Sequence, residues 1–411
     1  MKKLLLMLLL MPTIVAAQRN EVFSSHIRSL WVVAGDRWQE LPVIRLNGDE
    51  PITVSFDDMT HEYRRYTYRV EHCEADWTTS EDLLTSDFVE GFAEGNTIDD
   101  VEESLNTTHL YTHYKVRLPN RQCRLRMSGN YRLTVIDEDN GEEPVLQVCF
   151  MVLEPLMGVS MEVTANTDQD IHNRQQQVSM KVNYGGQRVV VPEQQIKTVV
   201  MQNDRWDNAR VNSKAQYLTG DGMEWQHNAD FIFMAGNEYR KFEILDVTHP
   251  TMGIDVINWD GENYHAFPFE CEPRRNYVYD EDANGAFYIR NSENIENDRL
   301  SEYVYVHYVL HCDTPPRGDV YLNGRWTNDR FLPEYKMEYN AENKCYEATV
   351  LQKQGYYNYQ FLLMRPDGTL VTMPTEGDFY QTENRYTALV YYRGQGERTD
   401  RLVGYQSVCT R

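Results

Sequence analysis

Few residues in this 411-residue chain have types and spacing that could do chemistry, and each such group has a plainer explanation. Asp280-Glu281-Asp282-Ala283-Asn284-Gly285 opens like a calcium loop. The twelfth position of such a loop must supply a bidentate Glu, and here it is Asn291. Asn284-Gly285 lies between Tyr277-Val278-Tyr279 and Phe287-Tyr288-Ile289, a hairpin signal. His109 and His113 are four apart, as are His307 and His311. On a helix that spacing chelates metal; on a strand it separates the side chains by about 13 Å, so these histidines read as structural.

Nucleophile elbows, zinc-helix motifs and phosphate-binding glycine loops do not occur in the sequence. Asp57-Asp58 and Asp76 supply carboxylates, but a glycosidase needs two acids at a set separation across a cleft, which spacing along a chain does not show. No catalytic, cofactor-binding or metal-ligating residue is assigned, and the chain reads as a non-enzyme without a cofactor. Trp326 follows the turn signal Asn323-Gly324. Exposed, it could stack on a sugar ring and make the chain a secreted carbohydrate-binding protein. The plainer reading is a core or interface tryptophan.

The seven cysteines are Cys73, Cys123, Cys149, Cys271, Cys312, Cys345 and Cys409. Their number is odd, their spacing long, and no C-x-x-C occurs, which argues against zinc and dithiol redox chemistry. They read as mostly buried small apolar residues, with one or two bridges permitted in an oxidising compartment.

Export is the expectation from the first residues. Lys2 and Lys3 precede an apolar run from Leu4 to Met11, then Pro12, Thr13 and the small-residue site Val15-Ala16-Ala17. That is the layout of a secretory signal peptide over 1–17, cleaved after Ala17, and too short to span a bilayer. No Cys follows Ala17, so the lipoprotein pattern is missing. The net charge of −23 disfavours nucleic acid and anionic lipid as partners. Nine carboxylates and no Lys or Arg lie between Glu81 and Glu103, as a solvated loop or a docking surface.

The elements positioning these residues are strands. Tyr66, Tyr68, Val70 and His72 alternate with Thr67, Arg69 and Glu71, and Leu110, Thr112, Tyr114, Val116 and Leu118 alternate with polar neighbours. Further strand patterns run from Tyr131 to Val135, Leu146 to Val152, Val178 to Tyr184, Ile196 to Gln202, Arg240 to Val247, Tyr303 to Cys312, Cys345 to Leu351, Tyr356 to Met364 and Tyr386 to Arg393. One-sided burial with abundant Tyr and Phe suits antiparallel sheets packed as sandwiches. The expected fold is all-β: tandem immunoglobulin-like or early-set β-sandwich modules. Glu154-Pro155 and the polar stretch Asn291 to Ser301 divide the chain into modules over 18–155, 156–295 and 296–411. The segment Asp76 to Asn106 reads as an irregular acidic insertion with a helical turn near Ser80 to Leu84.

Several stretches, taken together, resemble one family. They are Leu41-Pro42-Val43-Ile44-Arg45-Leu46, Val54-Ser55-Phe56-Asp57-Asp58, Tyr66 through Trp77, Tyr111-Thr112-His113-Tyr114 and Ser128-Gly129-Asn130-Tyr131, with Phe379 to Asn384 and Val390 to Arg393 near the end. The chain resembles the type IX secretion system plug protein family over nearly its whole mature length. The most specific string is His72 to Trp77, in which Glu74 stands where Asp is more usual. The resemblance implies a periplasmic, non-catalytic protein that associates with the giant outer-membrane translocon barrel and closes its periplasmic mouth. The acidic charge argues against nucleic acid as a partner, and with no later run of about 18 apolar residues no direct membrane insertion is expected. Phe56, Tyr66, Tyr68 and Trp77 are expected in the core, and Asp57, Asp76 and Asn130 at turns and caps. The binding residues are unknown from sequence; Glu81 to Glu103 is the candidate contact.

Overall fold

The computed structural model describes residues 20–410; the expected leader and its cleavage site lie outside the described residues. The all-β expectation holds. The chain builds three β bodies, and the alternating patterns become their strands.

The first body is a sandwich. One sheet orders Glu21–Val22, Glu143–Leu153, Gly129–Asp137, Tyr66–Cys73 and Asn96–Thr97, with Val43–Arg45 parallel on Glu143–Leu153. The other orders Ile27–Ala34, Ile52–Asp58, Thr112–Leu118 and Asp100–Glu103. Phe56, Tyr66, Tyr68, Tyr114, Tyr131 and Phe150 fill the space between. Phe56 stacks on Tyr114 at 5.4 Å and Tyr66 meets Tyr114 edge-on at 4.8 Å. Each such burial contributes about 1.5–3 kcal/mol relative to exposure.

The acidic segment is better ordered than its sequence suggests. A helical turn, Thr85–Phe88, forms a few residues later than expected, and the Asp87 carboxylate accepts the Leu84 backbone N–H at 2.9 Å. Short strands follow, and Phe88, Val89, Ala93 and Ile98 enter the sandwich core. These apolar residues lie too sparsely among the acids to show a period. Most carboxylates between Glu81 and Glu103 remain exposed.

The second and third bodies depart from the expected division. Gly158–Thr164, Gln175–Asn183, Gly222–Trp225, Tyr217–Leu218 and Ile232–Met234 form one sheet of the second body. Its other sheet pairs Ile196–Gln202 with Arg385–Tyr392, which pairs in turn with Arg401–Cys409. The end of the chain therefore closes the second body and not the third. The third body is a ten-stranded sheet assembled between Arg240 and Thr372. Strands all along this sheet feed one core through Phe242, Val306, Leu322, Tyr357 and Phe361, so the sheet curls around its own interior. It is inserted between strands of the second body, and no break falls at residue 295 or 296. Arg240–Ile244 already pairs with Gly355–Met364. The polar stretch Asn291 to Ser301 is an internal connection facing the first body.

Candidate functional site

The three bodies are joined through buried polar clusters. Asp57 follows Phe56 on Ile52–Asp58, so it points away from the first core. Its carboxylate is fully buried and accepts three hydrogen bonds: from His113 Nδ1 at 2.6 Å, Tyr303 Oη at 2.7 Å and Lys353 Nζ at 2.7 Å. Lys353, the last residue of Cys345–Lys353, also donates to the Asp298 carbonyl at 2.8 Å and lies 4.0 Å over the Tyr111 ring. Lys115 pairs with the Asp298 carboxylate, and Glu302 accepts the Thr108 backbone N–H at 2.6 Å. Burial pushes the Asp57 carboxyl up, but Lys353 and His113 outweigh it and hold it below the ordinary range. The expected turn role of Asp57 is thus overturned. Asp58 takes that role, accepting from the backbone and hydroxyl of Thr60 at 2.9 and 2.8 Å.

A second cluster joins the first and second bodies. Asp400 accepts the Ala75 N–H at 3.0 Å, Lys197 Nζ at 2.7 Å and Arg393 Nε at 3.0 Å. Glu74 pairs with Arg393 and accepts from Thr399 Oγ1 at 3.0 Å and the Asp400 N–H at 2.9 Å. Asn130 donates to the Glu74 carbonyl at 2.9 Å and accepts from Tyr391 Oη at 2.8 Å. It acts as a cross-body tie more than as a turn cap. Asp76 does hold a turn, accepting from Thr78 N and Oγ1. Around these bonds, Leu41, Cys73, Trp77 and Met151 pack against Val199, Met201, Leu389 and Tyr391 as one apolar seam. Trp77 is buried as expected, edge-on to Trp206 at 5.6 Å.

All three bodies meet at Asp204. It pairs with Arg325 and Arg385 and accepts from Thr387 Oγ1 at 2.8 Å. Arg325 also donates to the Glu40 carbonyl at 3.0 Å, and Arg385 to that of Gln39. Nearby, Trp38 lies 5.5 Å from Tyr288 and 6.0 Å from Tyr356. No sequence signal marks these partners, because each belongs to a strand or turn whose neighbour is more than a hundred residues away.

The residues considered for chemistry do other things. Trp326 is buried, 9% exposed, with Nε1 donating to the Asn358 carbonyl at 2.9 Å. Its ring contacts Tyr308, Tyr335 and Tyr357. After Gly324 the chain folds into the turn Arg325–Thr327 against the sheet, and the small part of Trp326 that stays exposed lines a cavity between the first and third bodies. Asp282 accepts the backbone N–H groups of Tyr239 and Asn284, and burial pushes it up to about 7. Asn284 and Gly285 form a left-handed turn, but 277–279 is no strand, and Phe287–Ile289 pairs with Gly355–Met364 instead. His307 meets His265, and His311 meets Glu270 at 2.7 Å. Cys73, Cys123, Cys271, Cys312 and Cys345 are buried free thiols, Cys149 is buried, and Cys409 is exposed. Burial pushes Cys73 and Cys123 up to about 12.

A cavity of about 320 Å³ opens between the first and third bodies. Its two carboxylates are held in ion pairs, Glu21 with Arg330 at 2.7 Å and Glu334 with Arg28 at 3.0 Å. Among the described residues, no cluster of three or more His, Cys, Asp or Glu could hold a metal, and no helix is long and apolar enough to cross a membrane. The geometry is that of a multi-body scaffold whose Asp57, Asp400 and Asp204 clusters join the bodies.

Comparison with known proteins assigns the class. Residues 27–154 match the family model for the type 9 secretion system plug protein 1st domain, and the chain belongs to the type IX secretion system plug protein family. A hypothetical protein from Parabacteroides merdae ATCC 43184, known from a crystal structure, is 37% identical, with 96% of this chain and 100% of that chain covered and a TM-score of 0.91. No curated protein matches.

Proposed function

We propose that this protein is a periplasmic, non-catalytic plug that binds and seals the periplasmic opening of the type IX outer-membrane translocon barrel. The carrying observation is the plug-domain match over 27–154, the body to which both others are fastened. Sealing a wide pore asks for a body that keeps its shape, and the Asp57, Asp400 and Asp204 clusters supply that. Reversible closure needs a polar, wet contact and not an obligate apolar one. The exposed carboxylates from Glu81 to Glu103 suit such a contact and are the proposed face toward the barrel. Opening requires that the barrel's states bind the plug unequally. Export by a leader cleaved after Ala17 is part of the same reading.

Affinity isolation of the tagged protein from solubilised envelopes, with mass spectrometry of what accompanies it, tests this. The expected companion is a very large outer-membrane barrel; recovery of the protein alone, or from the cytosol, contradicts the reading. Replacing Glu81, Glu90, Glu94 and Asp99 by their amides is expected to reduce that recovery. Unchanged recovery would remove the acidic segment from the contact.

A further inference from the structure

The ten-stranded sheet ends in two strands, Arg240–Ile244 and Ile254–Trp259. The Glu243 N–H donates to the Met252 carbonyl at 2.8 Å, so the two ends touch just before the second strand begins. Among the described residues, Ile254–Trp259 pairs with Tyr264–Pro268 on one side and with no strand on the other. Its outer edge presents a row of backbone N–H and C=O groups that a further strand can pair with. Such edges are ordinarily blunted by lysine, proline or a bulge. Here a bulge falls at the start, between Ile254 and Val256, and Val256-Ile257-Asn258-Trp259 then runs on with neither charge nor proline. Val256 is 37% and Trp259 49% exposed, while Ile257 packs partly against the core of the sheet. Trp259 lies over Tyr264 of the neighbouring strand, with ring centroids 4.6 Å apart.

Charge decides what kind of strand fits. Seven carboxylates and no Lys or Arg lie between Phe242 and Pro273. Asp255, Asp260, Glu262, Glu270 and Glu272 among them are exposed. The ion partners of Asp260 and Glu270 are histidines, His265 at 2.9 Å and His311 at 2.7 Å. Two copies of this edge laid side by side would bring like charges together, which is destabilising between paired strands. A basic strand meets no such penalty, and its approach is favoured by the acidic surroundings.

We propose that the outer edge of Ile254–Trp259 is a docking site for an extended, basic segment of a partner protein, which adds to the sheet as a further strand. Alternate apolar residues of that segment cover Ile257 and Trp259, and its Lys or Arg residues lie among the exposed carboxylates. Main-chain hydrogen bonds supply affinity in this mode, and the alternate side chains supply specificity. The site belongs to the third body. It is separate from the acidic segment of the first body proposed to face the barrel, and it does not depend on that reading.

The test uses the full mature chain and one probe, a short end-blocked peptide in which lysine alternates with valine. Calorimetry measures binding, and hydrogen exchange read by mass spectrometry locates it. The expected result is binding with exchange slowed at 254–259. The same peptide with its backbone nitrogens methylated keeps its charge but cannot donate to the edge, and is expected to bind about tenfold more weakly or not at all. Asn258→Lys, at an exposed position on the edge, is expected to weaken the unmethylated peptide about tenfold, while Val190→Lys, an equal charge change elsewhere, does not. The methylated peptide leaves the protein untouched, so the test stands if a variant misfolds. Equal affinity for both peptides, protection away from 254–259, or unchanged affinity in folded Asn258→Lys overturns the proposal. Exchange at 254–259 that slows in the protein alone as its concentration rises would give the edge to a second copy, and would overturn it too.

Discussion

Asp57 and Lys353 stand 296 residues apart in sequence and 2.7 Å apart in space, and neither side chain reaches solvent. The pair crosses from the first body to the third. In a low-dielectric site such a pair adds little over well-packed apolar groups, but breaking it strands a charge.

Removing one partner should therefore cost far more than removing both. Lys353→Met is expected to destabilise the protein by about 3–5 kcal/mol, and Asp57→Leu with Lys353→Met by clearly less. Urea unfolding of the single and double variants measures this. A double-variant loss equal to the sum of the Asp57→Leu and Lys353→Met losses would show that the charges are not coupled.

Acid should weaken the junctions. Asp57, Asp298 and Asp400 are each pushed up by burial but held below the ordinary carboxylate range by their cationic and hydrogen-bonding partners. A depressed folded pKa stabilises above the unfolded value, about 3.9 for Asp, and that stability is lost as pH falls through the folded value. Below about pH 4 the wild type is expected to lose stability more steeply than Asp57→Asn, as read from unfolding midpoints at successive pH values. Parallel slopes would count against a paired Asp57.

Tyr391→Phe deletes the hydroxyl that reaches Asn130 Oδ1 at 2.8 Å in a buried seam. Leaving that acceptor without its donor is expected to cost about 1–3 kcal/mol. Thermal unfolding of the variant beside wild type measures it; an unchanged midpoint would mean that the hydroxyl holds nothing.

Trp326→Ala should act on stability and not on sugar binding. Emptying a buried indole site is expected to cost about 3–5 kcal/mol, while retention on polysaccharide columns matches wild type. Retention by wild type that vanishes in a folded Trp326→Phe variant would restore the carbohydrate reading.

The strands were legible where one face is apolar. Tyr66, Tyr68 and Val70 alternate cleanly, and Ile196–Gln202 falls where its pattern places it. Pairing was not legible, because alternation names a buried face without naming the neighbour. Nothing near Ile196 announces Arg385–Tyr392 as its partner, so the pattern alone groups the last strands with the third body, whereas the structure pairs them in the second. Asn291 to Ser301 reads as a linker because it is polar, yet the Asp298 carboxylate pairs with Lys115 and the Ser301 backbone carbonyl accepts from Tyr111 Oη. Asp57 shows the same limit: an acid inside a strand suggests a strand end until a cation from another body is known to face it.

Sealing itself is read most directly as conductance. The type IX barrel, placed in a planar bilayer without its plug, is expected to pass a large current that falls when this protein is added to the periplasmic side and returns when it is washed away. A current that stays unchanged while the protein is bound would contradict the account.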